Sequence, residues 1–176
     1  MGTRHHPDLL GIPYFVTGTT RNRLPIFAQR GAAELLISHV SSLRDQLGFA
    51  LLSFVVMPEH LHAVFVPGAA TPLGRIMQGV KGGFAREWNL RTGSNGSIWQ
   101  ARYFESGVRT EAQLNRWIEY IEMNPVKAGL AEVADSYPYS SAGRGEVTDL
   151  EDYLAGGLWT GDAGLKPGLR NGGHRS

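Results

Sequence analysis

Ala50-Leu-Leu-Ser-Phe-Val-Val-Met57, then Pro58-Glu59, then His60-Leu-His-Ala-Val-Phe-Val66, is the stretch from which the architecture is read. The first run is apolar except for Ser53, as expected of a buried strand. Pro58-Glu59 breaks it and the strand pattern resumes at His60, so the whole predicts a β-hairpin in mid-chain. Upstream, Pro13-Tyr-Phe-Val-Thr-Gly-Thr19 is β-branched and aromatic and leads into polar Thr20-Arg-Asn-Arg23, the pattern of a first strand. Residues 30–47 read as a helix, because Leu35, Leu36, Val40, Leu43 and Leu47 recur at helical spacing and Gly48 stands at the C-terminal cap.

Downstream, residues 73–90 predict a second helix with Ile76, Val80, Phe84 and Trp88 on one face. Gly79, Gly82 and Gly83 either weaken it or let something approach its backbone closely. Residues 98–108 read as an aromatic-rich fourth strand, and Thr110 with Gln113 forms a capping box ahead of a helix carrying Leu114, Trp117, Ile118 and Ile121. The order β-α-β-β-α-β-α predicts an α+β fold: a ferredoxin-like sandwich with an antiparallel, four- to five-stranded sheet and helices on one face. After Gly129 the pattern fades apart from Tyr137-Pro-Tyr-Ser-Ser141, and residues 161–176 are Gly-rich without periodicity. The expected division is one domain at 1–142 and an acidic, Gly-rich, partly mobile tail at 143–176.

Composition narrows the function classes. The chain has 176 residues, 42% of them hydrophobic, enough for one domain with a real core. It has no cysteine, which excludes disulfide scaffolds, zinc fingers and any thiolate metal site. Its longest apolar run is too short for a bilayer span and residues 1–12 lack a signal core, so the expected location is cytoplasmic and nucleoid-associated, with no membrane partner. Residues 1–130 carry 13 Lys/Arg against 9 Asp/Glu, whereas residues 131–176 carry 4 against 7. The basic stretch at 71–110 could face phosphates or be a solvated helix face.

Two pairs of residues could carry chemistry. In a strand His60 and His62 project to one side while Leu61 projects to the other, making half a metal site; the bland reading is two histidines bonded to backbone or water. Tyr120 and Asn124, four apart on the last helix, share a face. Here Asn124 with Pro125 could equally cap a new short turn running through Ala128 to Gly129, with Tyr120 a half-buried aromatic.

Read in order, Met57-Pro-Glu-His-Leu-His62, Trp99-Gln100, Tyr120-Ile-Glu-Met-Asn-Pro-Val-Lys-Ala-Gly-Leu130 and Tyr137-Pro-Tyr-Ser-Ser141 resemble the REP-associated tyrosine transposases, single-tyrosine insertion-sequence enzymes of the HUH (His-hydrophobe-His) endonuclease superfamily. The resemblance covers roughly residues 11–142. It implies that His60, His62 and Asn124 hold a divalent metal and that Tyr120 is the nucleophile. It also implies that cleavage of single-stranded DNA beside hairpins leaves a 5′-phosphotyrosine and a free 3′-hydroxyl, which the same site can rejoin. Glu59 and the Gly82-Gly83 pair depart from the family pattern.

A site of imidazole and amide donors suits Mg²⁺ or Mn²⁺, although zinc would also bind. Arg21, Arg23, Lys81, Arg86 and Arg102 are candidates for phosphate contacts, and Trp99, Tyr103 and Phe104 either stack bases or belong to the core. Two other functions stay open: a non-catalytic module that binds hairpin DNA or RNA, and a metal-dependent phosphoesterase with no covalent step. The residues do not distinguish a monomer from a homodimer.

Overall fold

The computed structural model describes residues 11–157. Its elements are β1 (Tyr14–Thr19), α1 (Ala32–Leu47), β2 (Ala50–Met57), β3 (His60–Val66), α2 (Leu73–Thr92), β4 (Phe104–Gly107) and α3 (Glu111–Lys127), followed by short helical turns. The strands form one sheet in the order β2-β3-β1-β4, every neighbouring pair antiparallel. This is the ferredoxin-like α+β arrangement, with β1 and β3 in the centre.

The expectation that helices occupy one face is corrected. On one side α1 and α2 cover Tyr14, Val16, Leu51, Phe54, Val56, Leu61, Ala63 and Phe65; on the other α3 covers Phe15, Leu52, Val55, Val64 and Val66. The cause is visible in β2, which is buried at all eight positions because both of its faces meet a helical layer. A bulge between Leu51 and Ser53 turns Leu52 and Ser53 to the same side.

The glycines of α2 serve close approach. A Cβ on Gly79 would stand 2.7 Å from Leu43 Cδ2, and one on Gly83 would strike the His39 ring. His39 Nε2 instead donates to the Gly79 carbonyl at 3.0 Å, tying α1 to α2. Where a strand over 98–108 is expected, only Phe104–Gly107 pairs as one, with Trp99 making a single bridge to Thr20. Gln100 N still donates to Thr19 O at 2.9 Å, while the Gln100 and Ala101 carbonyls accept from Lys81 Nζ at 2.7 and 3.2 Å.

Helix α3 begins at Thr110, whose Oγ1 accepts from Gln113 N at 3.1 Å, while Gln113 Oε1 accepts from Arg109 N at 2.9 Å. Asn124 caps no separate turn: the helix runs on through Pro125 to Lys127. It ends with Gly129 at φ +72°, Leu130 N donating to Pro125 O at 2.8 Å and Gly129 N to Val126 O at 3.0 Å.

The free edge of β2 is covered by the chain beyond α3. Val56 N donates to Tyr139 O at 2.8 Å and Ser141 N to Phe54 O at 2.9 Å. Asp149 exchanges two bonds of 2.8 Å with the Leu51 backbone, one through Oδ2 and one through its own N–H. An otherwise open ladder is thereby satisfied. Within the segment expected to be a tail, Arg144 pairs with Glu34 at 2.6 Å and Tyr153 is buried against the α3 face of the sheet. Residues 158–176 lie outside the described part. Among the described residues, no helix is long and apolar enough to cross a membrane.

Candidate active site

β3 starts at His60, so His60 and His62 point to the α3 face while Leu61 enters the α1/α2 core. Their ring centroids are 4.4 Å apart. Each ring is fixed through Nδ1. Thr17 on β1, the residue opposite His62 in the ladder, places Oγ1 2.8 Å from His62 Nδ1. Glu59 Oε1 is 3.1 Å from His60 Nδ1. A carboxylate can only accept, so His60 carries its proton on Nδ1 and presents Nε2 as a lone pair. Among the described residues neither Nε2 has a hydrogen-bond partner.

Burial sets the charge of the pair. It pushes His62 down to about 3, with neighbouring His60 adding to the effect. His60 is also lowered by burial, against the opposing pull of the Glu59 carboxylate. Both rings are neutral at neutral pH, the state in which imidazole binds a metal.

Tyr120 approaches from α3, its ring centroid 5.3 Å from that of His62. The intervening floor is aromatic: Phe15 lies 5.4 Å from His62 and 5.9 Å from Tyr120, and Trp117 stacks on Phe15. Tyr120 itself is 38% exposed, within reach of a ligand from solvent. Lys127 Nζ stands 5.9 Å from the Tyr120 ring centroid.

Of the expected residues, the structure therefore brings together His60, His62 and Tyr120. Asn124 lies one turn beyond Tyr120 on α3, half-buried, its backbone carbonyl accepting from Ala128 N at 3.0 Å. Arg23 stands beside the site, 3.1 Å from Glu59 Oε1, in a turn where Asn22 and Arg23 both have positive φ. Arg21 and Arg102 are exposed. Lys81 is bound to backbone carbonyls, and Arg86 is exposed on α2, across the sheet from Tyr120. Trp99 is core, packed against Phe27 and Phe84, whereas Phe104 is 55% exposed on the Tyr120 side, 6.1 Å from Phe15.

Sequence reasoning missed Thr17, Glu59, Phe15, Trp117 and Lys127. Thr17 and Phe15 are legible only once the β1–β3 register is known. Glu59, read as a departure, is the partner of a histidine.

Two neutral imidazoles, each with its Nε2 open, are borderline donors able to ligate a divalent cation, and there is no thiolate. Among the described residues no group of three or more His, Asp or Glu side chains forms a metal cage, so two imidazoles would leave most coordination positions to amide, water or substrate oxygen.

Comparison with known proteins places the chain in a family and matches its fold. Residues 11–124 match the family described as "Transposase IS200 like". A REP-associated tyrosine transposase of Escherichia coli is 27% identical over 153 residues, which span 86% of this chain and 87% of that protein. A solved REP-associated tyrosine transposase bound to a REP hairpin superposes with a TM-score of 0.70 and 23% identity, over 100% of this chain and 99% of the other.

Proposed function

From the premise that this chain belongs to the IS200-like transposases, we propose that it is a metal-dependent single-stranded DNA endonuclease and strand transferase, with Tyr120 as the nucleophile. The observation that carries this reading is the grouping of an accessible phenol, 5.3 Å ring to ring from His62, with the His60–His62 pair. A binding module has no need of two imidazoles, one buried and one half-buried, each fixed through Nδ1 beside a phenol.

The Nε2 atoms of His60 and His62 would hold the cation, Mg²⁺ or Mn²⁺, with Asn124 as the third protein donor. When bound, it neutralises charge on the non-bridging phosphate oxygens and orients the group for in-line displacement. Tyr120 Oη forms a bond to phosphorus and the bond from phosphorus to the 3′-oxygen breaks. The phenolic proton leaves to solvent and the 3′-oxygen gains one, giving a 5′-phosphotyrosine and a free 3′-hydroxyl. One ester replaces another, so attack by a 3′-hydroxyl on the adduct rejoins strands. Thr17 and Glu59 hold the imidazoles in place, and the Phe15–Trp117 stack supports the tyrosine.

The partner of this reading is single-stranded DNA bearing hairpins. The E. coli relative is REP-associated by name, and the hairpin-bound transposase shares the fold. The test is a denaturing gel after incubation with Mn²⁺ and a flanked hairpin oligonucleotide. The parent should give a covalent protein–DNA species and Tyr120→Phe none; cleavage by the Phe variant at the parental rate would sink the mechanism.

A further inference from the structure

The Tyr137-Pro-Tyr-Ser-Ser141 motif lies along the outer edge of β2, with Ser140 bridged antiparallel to Val55. In a regular ladder of that register Tyr139 would exchange two backbone bonds with Val56, and Ser141 two with Phe54. Here the backbone supplies half of each exchange, Val56 N to Tyr139 O at 2.8 Å and Ser141 N to Phe54 O at 2.9 Å, and a hydroxyl supplies the other half. The Ser141 hydroxyl accepts from Phe54 N at 3.0 Å, and the Tyr137 hydroxyl donates to the Val56 carbonyl at 3.0 Å. We propose that Tyr137 is a positioning residue for His60, acting through the Val56–Met57 peptide. The inference rests on the reading of His60 as a metal ligand, and its test separates the two.

Register is the first argument. Val56 and Met57 stand opposite Leu61 and His60, so the peptide whose carbonyl Tyr137 holds ends at the residue that pairs with His60. Met57 is buried on the α3 face, the side to which His60 points, in the cluster that contains Tyr137 itself. The Pro58-Glu59 turn between Met57 and His60 is tied by Thr20, whose N and Oγ1 donate to the Glu59 carbonyl at 2.9 and 3.0 Å, and by Phe27 N, which donates to the Pro58 carbonyl at 2.9 Å. On the outer side of β2, the bond nearest the turn is that of Tyr137. Glu59 fixes the His60 ring, so a turn free to rock on its outer side would carry the ring with it.

The donor and its surroundings fit the task. Tyr137 is buried, and that burial, with Tyr139 and Glu59 adding to it, pushes its phenol up to about 12, so the hydroxyl stays a donor at neutral pH. Tyr139 steadies the ring edge-on, centroids 5.7 Å apart. Tyr137 also follows the end of α3 by ten residues and shares its buried cluster with Ile121, the neighbour of Tyr120. One side chain thus braces both the strand opposite His60 and the connection that leaves the tyrosine's helix.

The experiment uses the full chain with isotope-labelled histidine, free of metal, and follows the ring signals of His60 by NMR, assigned through His60→Gln. His39, between α1 and α2 on the other side of the sheet, is the internal reference. Tyr137→Phe removes one hydroxyl and keeps the ring; Ser141→Ala removes the matching hydroxyl from Phe54, on a peptide opposite Ala63 and Val64. Each should lower Tm by about 2–4 °C, the worth of one buried hydrogen bond in a domain of this size. Tyr137→Phe should move the His60 signals and raise the Kd for Mn²⁺ about tenfold, inside the roughly 2–30-fold by which residues act on a site through packing. Ser141→Ala should do neither, and His39 should stay in place in both. His60 signals or a Kd left at the parental value by Tyr137→Phe overturn the proposal, and so do equal shifts in the two variants, which would make both hydroxyls plain struts of the sheet. A parent that binds no Mn²⁺, in which Tyr137→Phe alone moves the His60 ring, would remove the metal-ligand reading while leaving the positioning by Tyr137 in force.

Discussion

Phe15 of β1 and Trp117 of α3 lie ring on ring, centroids 3.8 Å apart and planes 7° from parallel. The pair fastens the helix that carries Tyr120 to the central strand that carries Thr17, so the spacing between phenol and imidazoles is set by an aromatic stack. Trp117→Ala should cost about 2–4 kcal/mol by loss of buried aromatic area and a cavity. Trp117→Phe should recover part of that. Denaturant midpoints measure the cost, and an Ala variant as stable as the parent would deny the stack its role.

Glu59→Gln keeps an acceptor for His60 Nδ1–H but removes its charge. Such partners of a ligating histidine are typically worth about 10–100-fold in metal affinity. Titration calorimetry with Mn²⁺ on the DNA-free protein reads this directly. Unchanged affinity would mean that Glu59 serves only Arg23.

His60→Ala and His62→Ala should each abolish metal-dependent cleavage while leaving hairpin affinity in chelator largely intact, because contacts between cations and phosphates do not pass through the imidazoles. Loss of both together would instead indicate unfolding, which circular dichroism would reveal.

The burial of His62 makes stability pH-dependent. An unfolded chain takes up a proton near 6.5 that the folded ring refuses until about 3. Stability is therefore full above about pH 6.5 and falls as the pH is lowered across that interval, by at most about 1.4 kcal/mol per pH unit from this group. His62→Gln should flatten the acid limb measured by denaturant melts at a series of pH values.

Much of the fold is legible in the chain. The mid-chain hairpin, the Leu36/Val40 stripe of α1 and the Thr110 cap all follow from local periodicity and capping chemistry, and those elements form as expected. What sequence cannot carry is sidedness. A continuous apolar run such as β2 calls for cover on both faces but does not say which element supplies it, so the placement of α3 on the second face is a tertiary fact. The site divides the same way. His60 and His62 share a strand face by simple alternation, and the motif that contains Tyr120 is recognisable. That Thr17 and Glu59 hold the two imidazoles, and that Lys81 is spent on backbone carbonyls, depends on which segments the sheet brings together.

Asp149→Ala should cost about 1–3 kcal/mol, since Leu51 N–H loses its acceptor. Ending the chain after Arg144 should cost more, because Tyr153 is removed as well; thermal melts of the two variants give the order. A truncated chain as stable as the parent would mean that this strap contributes nothing.

The strap on β2 also bears on how the molecule is made. Tyr139, Ser141 and Asp149 leave the ribosome after all four strands of the sheet and after α3. Until then the nascent chain presents the edge of its most apolar strand with Leu51, Phe54 and Val56 unpaired on that side, the kind of edge that recruits other chains. The interval between the emergence of β2 and that of Asp149 is the window in which newly translated protein is most exposed to mispairing, and the stretch where a pause in translation or loss of a chaperone would be felt first.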